Sequence, residues 1–264
     1  MSYLLITNDD GIDSPALRPL ITALAELRPV RTVVPDRERS WIGKAITRWD
    51  KLRVRRLPEQ AIELYTVDAF PADCVQLGVH SLFEDRPELV VSGVNVGLNY
   101  GSGFFFSSGT VGAAIEAWIA DVPSVAFSMG MPGDDRGWKA EVGKESFLHH
   151  WRRAAALCAD IVDQLLDEGY PDGCELLSVN FPVGAGPETP REVTRLADAS
   201  YTQLFRPEGD GIFAHDFRGE VLHRSALEGT DVHAVGEGRV SITPIRLSQD
   251  PQLAERLANR FARS

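Results

Sequence analysis

Two adjacent carboxylates follow the first apolar stretch of the chain. Asp9 and Asp10 follow YLLIT, residues 3–7, after the single residue Asn8, and their like charges repel each other. Such a pair is stabilised by a bound cation, by a helix N-terminus or by open solvent. Ser40, in DRERS, and Asn95, in SGVNVG, each follow a later apolar stretch. The four side chains offer oxygen ligands, a set that suits Mg²⁺ or Mn²⁺ and disfavours zinc.

A Ser-Gly-Thr turn is a candidate site for an anion. Ser108, Gly109 and Thr110 precede a stretch of helical composition, so their backbone N–H groups lie in the first turn of a helix. The helix dipole adds about half a positive charge there, which favours a phosphate. Asn99, in the loop before this turn, is a further candidate for the same phosphate. Both motifs also have an ordinary structural explanation, because Asp favours a following helix N-terminus and Ser and Thr are common helix caps.

Alternating strands and helices would bring these loops together. Short stretches that are apolar throughout are typical of the buried strands of a parallel sheet. They recur at residues 3–7, 31–35, 89–93 and 124–128. Helices are predicted between them, one with Ser14 as its N-cap, one from Pro71 and one over residues 109–120. This pattern predicts an α/β fold with a doubly wound, mostly parallel sheet, in which ligands bind beyond the carboxyl ends of the strands.

The second half of the chain is less regular. A long helix is predicted over residues 145–169, a strand over 174–182, and an exposed or edge strand over 239–247. The stretch 184–238 gives no assignment, and the tail from Asp250 predicts a short amphipathic helix. We expect a single domain, residues 1–264, with a core of about 1–130, 139–182 and 239–247 and a C-terminal extension of about 184–264.

Composition excludes several classes of protein. The 264 residues are 44% hydrophobic, and 27 basic against 38 acidic side chains give a net charge of −11. This charge repels nucleic acid and anionic membranes, so stable binding of either is not expected. The three cysteines lack the spacing of a zinc site or a disulfide framework and are expected to be reduced. The sequence shows no leader and no apolar run of about 20 residues, so a cytoplasmic protein is expected.

Five motifs together resemble one known family. They are ITNDDGI, VPDRERS, VVSGVNVGLNYG, SGTVGAAIEA and TDVHAVGEGRVSITPI. In order and spacing they are similar to the SurE family of survival-protein nucleotidases, over nearly the whole chain. The resemblance implies a Rossmann-like α/β core with a C-terminal extension used for oligomerisation. A homodimer or homotetramer is therefore expected.

The resemblance also implies an activity, the metal-dependent hydrolysis of nucleoside 5'- and 3'-monophosphates to nucleoside and phosphate. The implied ligands of one divalent ion per subunit, Mg²⁺ or Mn²⁺, are Asp9, Asp10, Ser40 and Asn95. The implied phosphate-binding turn is Ser108, Gly109 and Thr110. The predicted catalytic residues are Asp9, Asp10 and Asn95. Attack on phosphorus by a water and attack by an Asp carboxylate are both compatible with these residues.

Some residues depart from the pattern of that family. Trp41, Ile42, Gly43 and Lys44 follow Ser40, where the family usually has glycine and small residues. The stretch before the phosphate turn is SGFFFS, with rings at residues 104–106. Because Trp41 and these rings are able to reshape the wall on which a base would stack, the sequence leaves the preferred nucleotide open.

A receiver-like signalling domain that binds Mg²⁺ without turnover is the alternative. It also carries an acidic pair after its first strand, but it needs a phospho-accepting Asp after a later strand, where this chain has Asn95. A dinucleotide-binding module is disfavoured, because TNDDGI lacks the glycine turn that admits a pyrophosphate.

Overall fold

The computed structural model describes residues 2–58, 62–131, 138–216 and 221–248, together with residues 252, 255 and 258. The strands in these ranges are β1 (Leu4–Thr7), β2 (Val30–Pro35), β3 (Val54–Arg56), β4 (Glu63–Val67), β5 (Leu89–Val96), β6 (Ser124–Met129), β7 (Leu176–Phe181), β8 (Arg191–Val193), β9 (Ala199–Tyr201), β10 (Phe205–Gly209), β11 (Ile212–His215), β12 (Val221–His223) and β13 (Val240–Ile245). The α-helices are α1 (Leu17–Ala25), α2 (Pro71–His80), α3 (Gly101–Ser107), α4 (Gly109–Ile119), α5 (Trp138–Val142), α6 (Leu148–Glu168) and α7 (Asp231–Gly236). A 3₁₀ helix, Glu145–Phe147, leads into α6. The two together confirm the long helix predicted over residues 145–169.

Within the described residues, a central sheet of nine strands has the order β3-β4-β2-β1-β5-β6-β7-β13-β8. The neighbouring strands from β4 to β7 are parallel, whereas β3 is antiparallel to β4 and β13 is antiparallel to β7. The register of the two central strands pairs Leu4 with Leu89 and Ile6 with Val91. The predicted α/β fold with a mostly parallel sheet is confirmed. Two small antiparallel pairs, β10 with β11 and β9 with β12, lie outside this sheet.

Helices cover both faces of the sheet, because alternate residues of a strand point to opposite faces. In β1, Leu4 and Ile6 pack with residues of α1 and α6, whereas Leu5 packs with residues of α2 and α4. The helices α1 and α6 contact each other, as α2 and α4 do. Each of these fully buried side chains contributes about 2 kcal/mol of hydrophobic stabilisation. Leu4, Leu5 and Ile6 are therefore all apolar, because both faces of the first strand are buried.

The first helix begins later than the sequence predicts. Its N-cap is Ala16, so the prediction of Ser14 as the cap is wrong. The backbone N–H of Ser14 donates to the carbonyl oxygen of Gly11 at 3.2 Å, and Ile12 N donates to Pro35 O at 3.0 Å. These bonds hold the chain after Asp10 in a turn against the end of β2. The helix therefore starts only after the turn is complete.

The last strand of the sheet is interior, so the prediction of an exposed or edge strand over residues 239–247 is wrong in that respect. β13 lies between β7 and β8. Its polar side chains face a buried hydroxyl cluster, in which Thr194 Oγ1 lies 2.8 Å from both Ser241 Oγ and Thr243 Oγ1. The alternation of polar and apolar residues therefore reflects hydroxyl pairing and not solvent. The tail helix predicted from Asp250 falls largely outside the described residues.

A buried carboxylate connects the chain before β9 to the start of α3. Asp231, the first residue of α7, accepts hydrogen bonds from Gly101 N at 2.8 Å and from Ala197 N at 2.9 Å. Burial raises the pKa of Asp231, and the backbone N–H donors oppose that rise. This contact fixes α3 next to β9.

The three cysteines, Cys74, Cys158 and Cys174, form no disulfide. Burial raises the pKa of the Cys74 and Cys158 thiols, which keeps them protonated. No helix within the described ranges combines the length and the apolar composition that a membrane crossing requires.

Candidate active site

The predicted site residues gather at one edge of the central sheet. β1 lies between β2 and β5, and the three strands are parallel, so their carboxyl ends meet at the same edge. Asp9 and Asp10 follow β1, Ser40 follows β2, and Asn95 lies near the end of β5. The first turn of α4 reaches the same edge, because Thr110 contacts Asp9. The strand order explains why motifs that are far apart in the sequence meet here.

The loop after β1 is held rigidly by the side chain of Asn8. Its Nδ2 donates to Gly11 O at 3.0 Å and its Oδ1 accepts from Gly11 N at 3.1 Å. Gly11 has φ 81°, and a Cβ there would lie 2.6 Å from the carbonyl carbon of Arg37. Only glycine is compatible with this backbone and this close approach. The two carboxylates therefore leave the sheet in a fixed direction.

Asp9 is buried against the first turn of α4. Only 4% of Asp9 is exposed, and the hydroxyl of Thr110 donates to its Oδ1. Burial raises the pKa of Asp9 to about 6, against the opposing effect of the hydrogen bonds from Thr110. A Cβ at Gly109 would lie 2.8 Å from Asp9 Cβ and 3.0 Å from its Oδ2. The carboxylate can lie at this helix N-terminus only because residue 109 is glycine.

Asp10 and Asn95 are positioned by the end of β5. Val96 N donates to Asp10 Oδ2 at 3.0 Å, and Asn95 Nδ2 donates to Gly97 O at 2.7 Å. The ladder between β5 and β6 shifts register between Ser92 and Asn95, which re-aims the residues beyond the shift. Because the amide nitrogen of Asn95 is engaged, its oxygen Oδ1 is the atom suited to a cation.

Ser40 lies on the loop after β2 but does not contact the carboxylate pair through its own hydroxyl. Its Oγ donates to Glu38 Oε1 at 2.7 Å, and the residue is exposed. The neighbouring Arg39 N donates to the carbonyl oxygen of Asp9 at 2.7 Å, so the loop itself is attached to the site. Farther along, Lys44 forms an ion pair with the buried carboxylate of Glu116 on α4.

The two hydroxyls of the predicted phosphate turn have different partners. Ser108 is the N-cap of α4, and its Oγ accepts from Val111 N at 3.1 Å. The hydroxyl of Thr110 instead donates to Asp9, while its carbonyl oxygen accepts from Ser92 Oγ at 2.8 Å. The structure therefore joins Thr110 to the carboxylate site and gives Ser108 a capping contact.

Asn99 lies in a buried polar network next to β6 and β7. Its backbone N–H donates to Asn180 Oδ1, and its Nδ2 donates to Ser128 Oγ, both at 2.8 Å. Asn99 is 7% exposed. These contacts anchor the chain before α3 to the sheet.

The residues at the rim fit a hard divalent cation. Two carboxylates, one of them nearly out of water, lie at the same sheet edge as the amide of Asn95, whose neighbour Val96 binds Asp10. Such oxygen donors suit an ion that keeps several waters. Like charges at this short sequence spacing are stabilised by a cation between them. Among the described residues, no group of three or more His, Cys, Asp or Glu side chains is arranged to hold a metal.

Sequence reasoning missed three contributors to this site. Asn8, just after β1, and Ser92, within β5, are buried polar residues. Asn8 fixes the backbone of Gly11, next to Asp10, and Ser92 fixes that of Thr110. The third, Tyr201, comes from the stretch that had no assignment, and its hydroxyl lies 2.6 Å from Ser107 Oγ. A polar residue inside or beside an apolar strand was the available signal for the first two. For Tyr201 the sequence offered none.

Comparisons with known proteins point to one family. The family model described as survival protein SurE matches residues 4–203. A 5'-nucleotidase SurE of Methanocella arvoryzae is 38% identical over 255 residues, which are 94% of this chain and 93% of the relative. A 5'-nucleotidase SurE of Geobacter sulfurreducens is 36% identical over 92% of this chain and 87% of its own. The crystal structure of a SurE protein from Aquifex aeolicus has a TM-score of 0.77 and 33% identity, over 98% of this chain and 99% of that one.

Proposed function

The chain belongs to the SurE survival-protein family and is a 5'-nucleotidase, and we propose that it hydrolyses nucleoside monophosphates at the rim formed by Asp9, Asp10, Asn95 and the first turn of α4. The products are a nucleoside and inorganic phosphate. The 5'-monophosphates are the substrates that the names of the relatives support, and 3'-monophosphates are proposed as further substrates.

One observation supports this location of the reaction above the others. Thr110, from the predicted phosphate turn, donates its hydroxyl to Asp9, from the predicted metal pair. The sequence treats these motifs separately, since 101 positions divide them. Their contact supports one site in which a cation and a phosphate would be neighbours.

We propose Asp9, Asp10, Ser40 and Asn95 as the residues that hold one divalent ion, Mg²⁺ or Mn²⁺. When bound, such an ion supplies Lewis-acid polarisation of the phosphoryl group. For Ser40 to take part, its hydroxyl must leave Glu38, which an exposed side chain can do by a rotamer change.

The remaining chemistry falls to the chain itself. The N-terminus of α4, with Ser108, Gly109 and Thr110, presents the positive end of a helix dipole to a phosphate. Thr110 holds Asp9 in one orientation, and Val96 N holds Asp10. Groups fixed in this way need no reorganisation as charge builds on the phosphoryl oxygens, which is how preorganised sites lower a barrier. We propose that Asn99 also contacts the phosphate, after its amide has moved away from Ser128.

Phosphate release from AMP with and without Mn²⁺ tests this proposal. The wild type should release phosphate only with the ion, and Asp9→Asn should lower the rate by at least about 10²-fold because a carboxylate ligand is lost. The matched control is Asp13→Asn, an exposed carboxylate of the same loop, which should keep the wild-type rate. Equal rates for Asp9→Asn and the wild type would show that the carboxylate pair is not the site. A chain that binds Mg²⁺ without any turnover would favour the receiver-like alternative, for which the comparisons offer no support.

We also propose that the chain assembles as a homodimer or homotetramer in the cytoplasm. Three large apolar side chains on β10 and β11 support the assembly, because Phe205, Ile212 and Phe213 are each more than half exposed. The three unpaired thiols support a reducing compartment. Small nucleoside monophosphates are the proposed partners, and no stable nucleic-acid complex is proposed, in keeping with the charge of −11.

A further inference from the structure

A group of partly exposed aromatic rings lies beside the phosphate turn. Trp41 is at its centre, with ring centroids 5.8 Å from Phe104, 5.3 Å from Tyr201 and 5.0 Å from His215. Phe104 and Tyr201 are themselves 5.5 Å apart. We call these four rings the aromatic wall. They come from four separate parts of the chain: the loop after β2, α3, β9 and β11.

The loop that carries Trp41 lies against the end of α3 on one side of the ring and against the first turn of α4 on the other. Gly43 N donates to Ser107 O at 2.9 Å, and the Ser107 hydroxyl lies 2.6 Å from the Tyr201 hydroxyl. On the other side, a Cβ at Gly109 would lie 3.1 Å from the carbonyl oxygen of Arg39. Trp41 therefore belongs to a short loop that contacts Ser107, the residue before the phosphate turn, at one end and approaches Gly109 at the other.

Trp41 is held in a backbone conformation that bulky residues rarely adopt. Its φ is 60°, in the left-handed region, and 39% of the residue is exposed. Such outliers persist where the surroundings fix them and are concentrated at ligand clamps. Here the edge-to-face contacts with Phe104 and Tyr201 hold the indole in place.

Core packing alone does not account for this arrangement. None of the four rings belongs to the three buried apolar clusters of the described residues, and none is buried. The nearby Phe105, in contrast, is 1% exposed and packs in the core. The rings of the aromatic wall thus keep accessible surface at the rim of the site.

We propose that the aromatic wall stacks the base of the nucleotide, and that Trp41 makes purine nucleoside monophosphates the preferred substrates. This inference rests on the proposed function, because a nucleotide whose phosphate lies at α4 carries its base at the other end of the ribose. Bases stack on aromatic side chains through their π-faces. A purine, with two fused rings, overlaps more of an indole than a pyrimidine does, so it gains more from Trp41.

The test compares AMP and UMP with ribose 5-phosphate, which has the same phosphate and sugar without a base. The variants are Trp41→Ala, Trp41→Phe and, as a matched control, Trp49→Ala, an 83% exposed tryptophan outside the aromatic wall. At saturating Mn²⁺, Trp41→Ala should lower kcat/KM for AMP by roughly 5-fold to 150-fold, the loss of one stacking contact. The loss should be smaller for UMP and smallest for ribose 5-phosphate, while Trp41→Phe should recover part of the AMP rate and Trp49→Ala should match the wild type.

An equal fall for all three substrates would overturn the proposal, because Trp41 would then act only through the position of the Ser40 loop. Calorimetry with adenosine in the absence of metal gives a readout that needs no turnover. Tighter binding by the wild type than by Trp41→Ala supports the proposal, and equal affinity or no binding overturns it. A wild type that hydrolyses none of the three substrates would contradict the proposed function, and the adenosine titration would still decide on the aromatic wall.

Discussion

The substitution Gly109→Ala adds one methyl group at the point where α4 meets the carboxylate pair. Its Cβ would lie 2.8 Å from Asp9 Cβ and 3.1 Å from Arg39 O, whereas ordinary contact begins near 3.4 Å. Asp9 must therefore move by about 0.6 Å, or the helix must retreat by as much. A misplacement on the order of 1 Å in a preorganised site costs about 10²-fold in rate. We expect kcat for AMP to fall by roughly that factor.

The same substitution should have a much smaller effect on stability. Alanine is favoured over glycine within a helix by up to about 1 kcal/mol, which offsets part of the overpacking cost of about 1–3 kcal/mol. The matched control is Gly236→Ala in α7, where an added Cβ meets nothing within 4 Å. Phosphate release and urea unfolding should be measured for both variants. A folded Gly109→Ala protein with the wild-type rate would refute the idea that catalysis depends on the position of Asp9.

Substitutions at other positions test further contacts of the structure by their effects on rate or stability. Thr110→Val should lose about 10²-fold in rate with little change in Tm, since the Thr110 hydroxyl orients the carboxylate of Asp9, and a wild-type rate would argue against this role. Ser108→Ala should lose about 1 kcal/mol of stability, because the helix cap is lost. Lys44→Met should cost about 2 kcal/mol in urea unfolding, because Glu116 is left buried without its cation, and an unchanged midpoint would contradict this. Burial raises the pKa of Asp231 in the folded protein above its ordinary 3.8, so the contribution of Asp231 to folding stability is greatest below pH 3.8 and is lost as the pH rises through the raised pKa. The free energy of unfolding of the wild type should therefore exceed that of Asp231→Asn by less at pH 7 than at pH 4. Light scattering at micromolar concentration should show a dimer or tetramer, and a monomer would exclude the proposed assembly.

Much of the fold could be predicted because its central strands are apolar on both faces. YLLIT and LVVSG can each be recognised as a buried strand from their composition, since a strand between two helix layers has no solvent-exposed face and is almost entirely apolar. The later strands could not be recognised in the same way. β8 to β12 are three to five residues long and mostly exposed, so they carry little periodic signal. The prediction that β13 is an exposed or edge strand was wrong for another reason, since its Ser241 and Thr243 pair with a buried hydroxyl and not with water.

The candidate site was predictable in its residue types but not in its contacts. Asp9, Asp10 and Asn95 could be identified because parallel strand ends share one edge of a sheet. The bond between Thr110 and Asp9 could not be, because it depends on how closely α4 approaches β1. The partner of Ser40 is also a local matter, decided by the turn that brings Glu38 within 2.7 Å. Sequence patterns specify which loops meet, whereas side-chain pairing follows from distances of a few tenths of an ångström.

The interior place of β13 has a consequence for the chain while it is being synthesised. The edge of β7, fully buried in the finished sheet, has no partner until residue 245 has been made. At roughly 5–20 residues per second, the nascent protein carries this open, apolar strand for roughly 3–13 s. An unpaired apolar edge can recruit strands of other chains, so this interval is the time when aggregation competes with folding and when a chaperone would have something to shield. The rim residues from Asp9 to Thr110 have all been translated by then, so the nascent chain already holds the proposed catalytic groups before its last strands have been made.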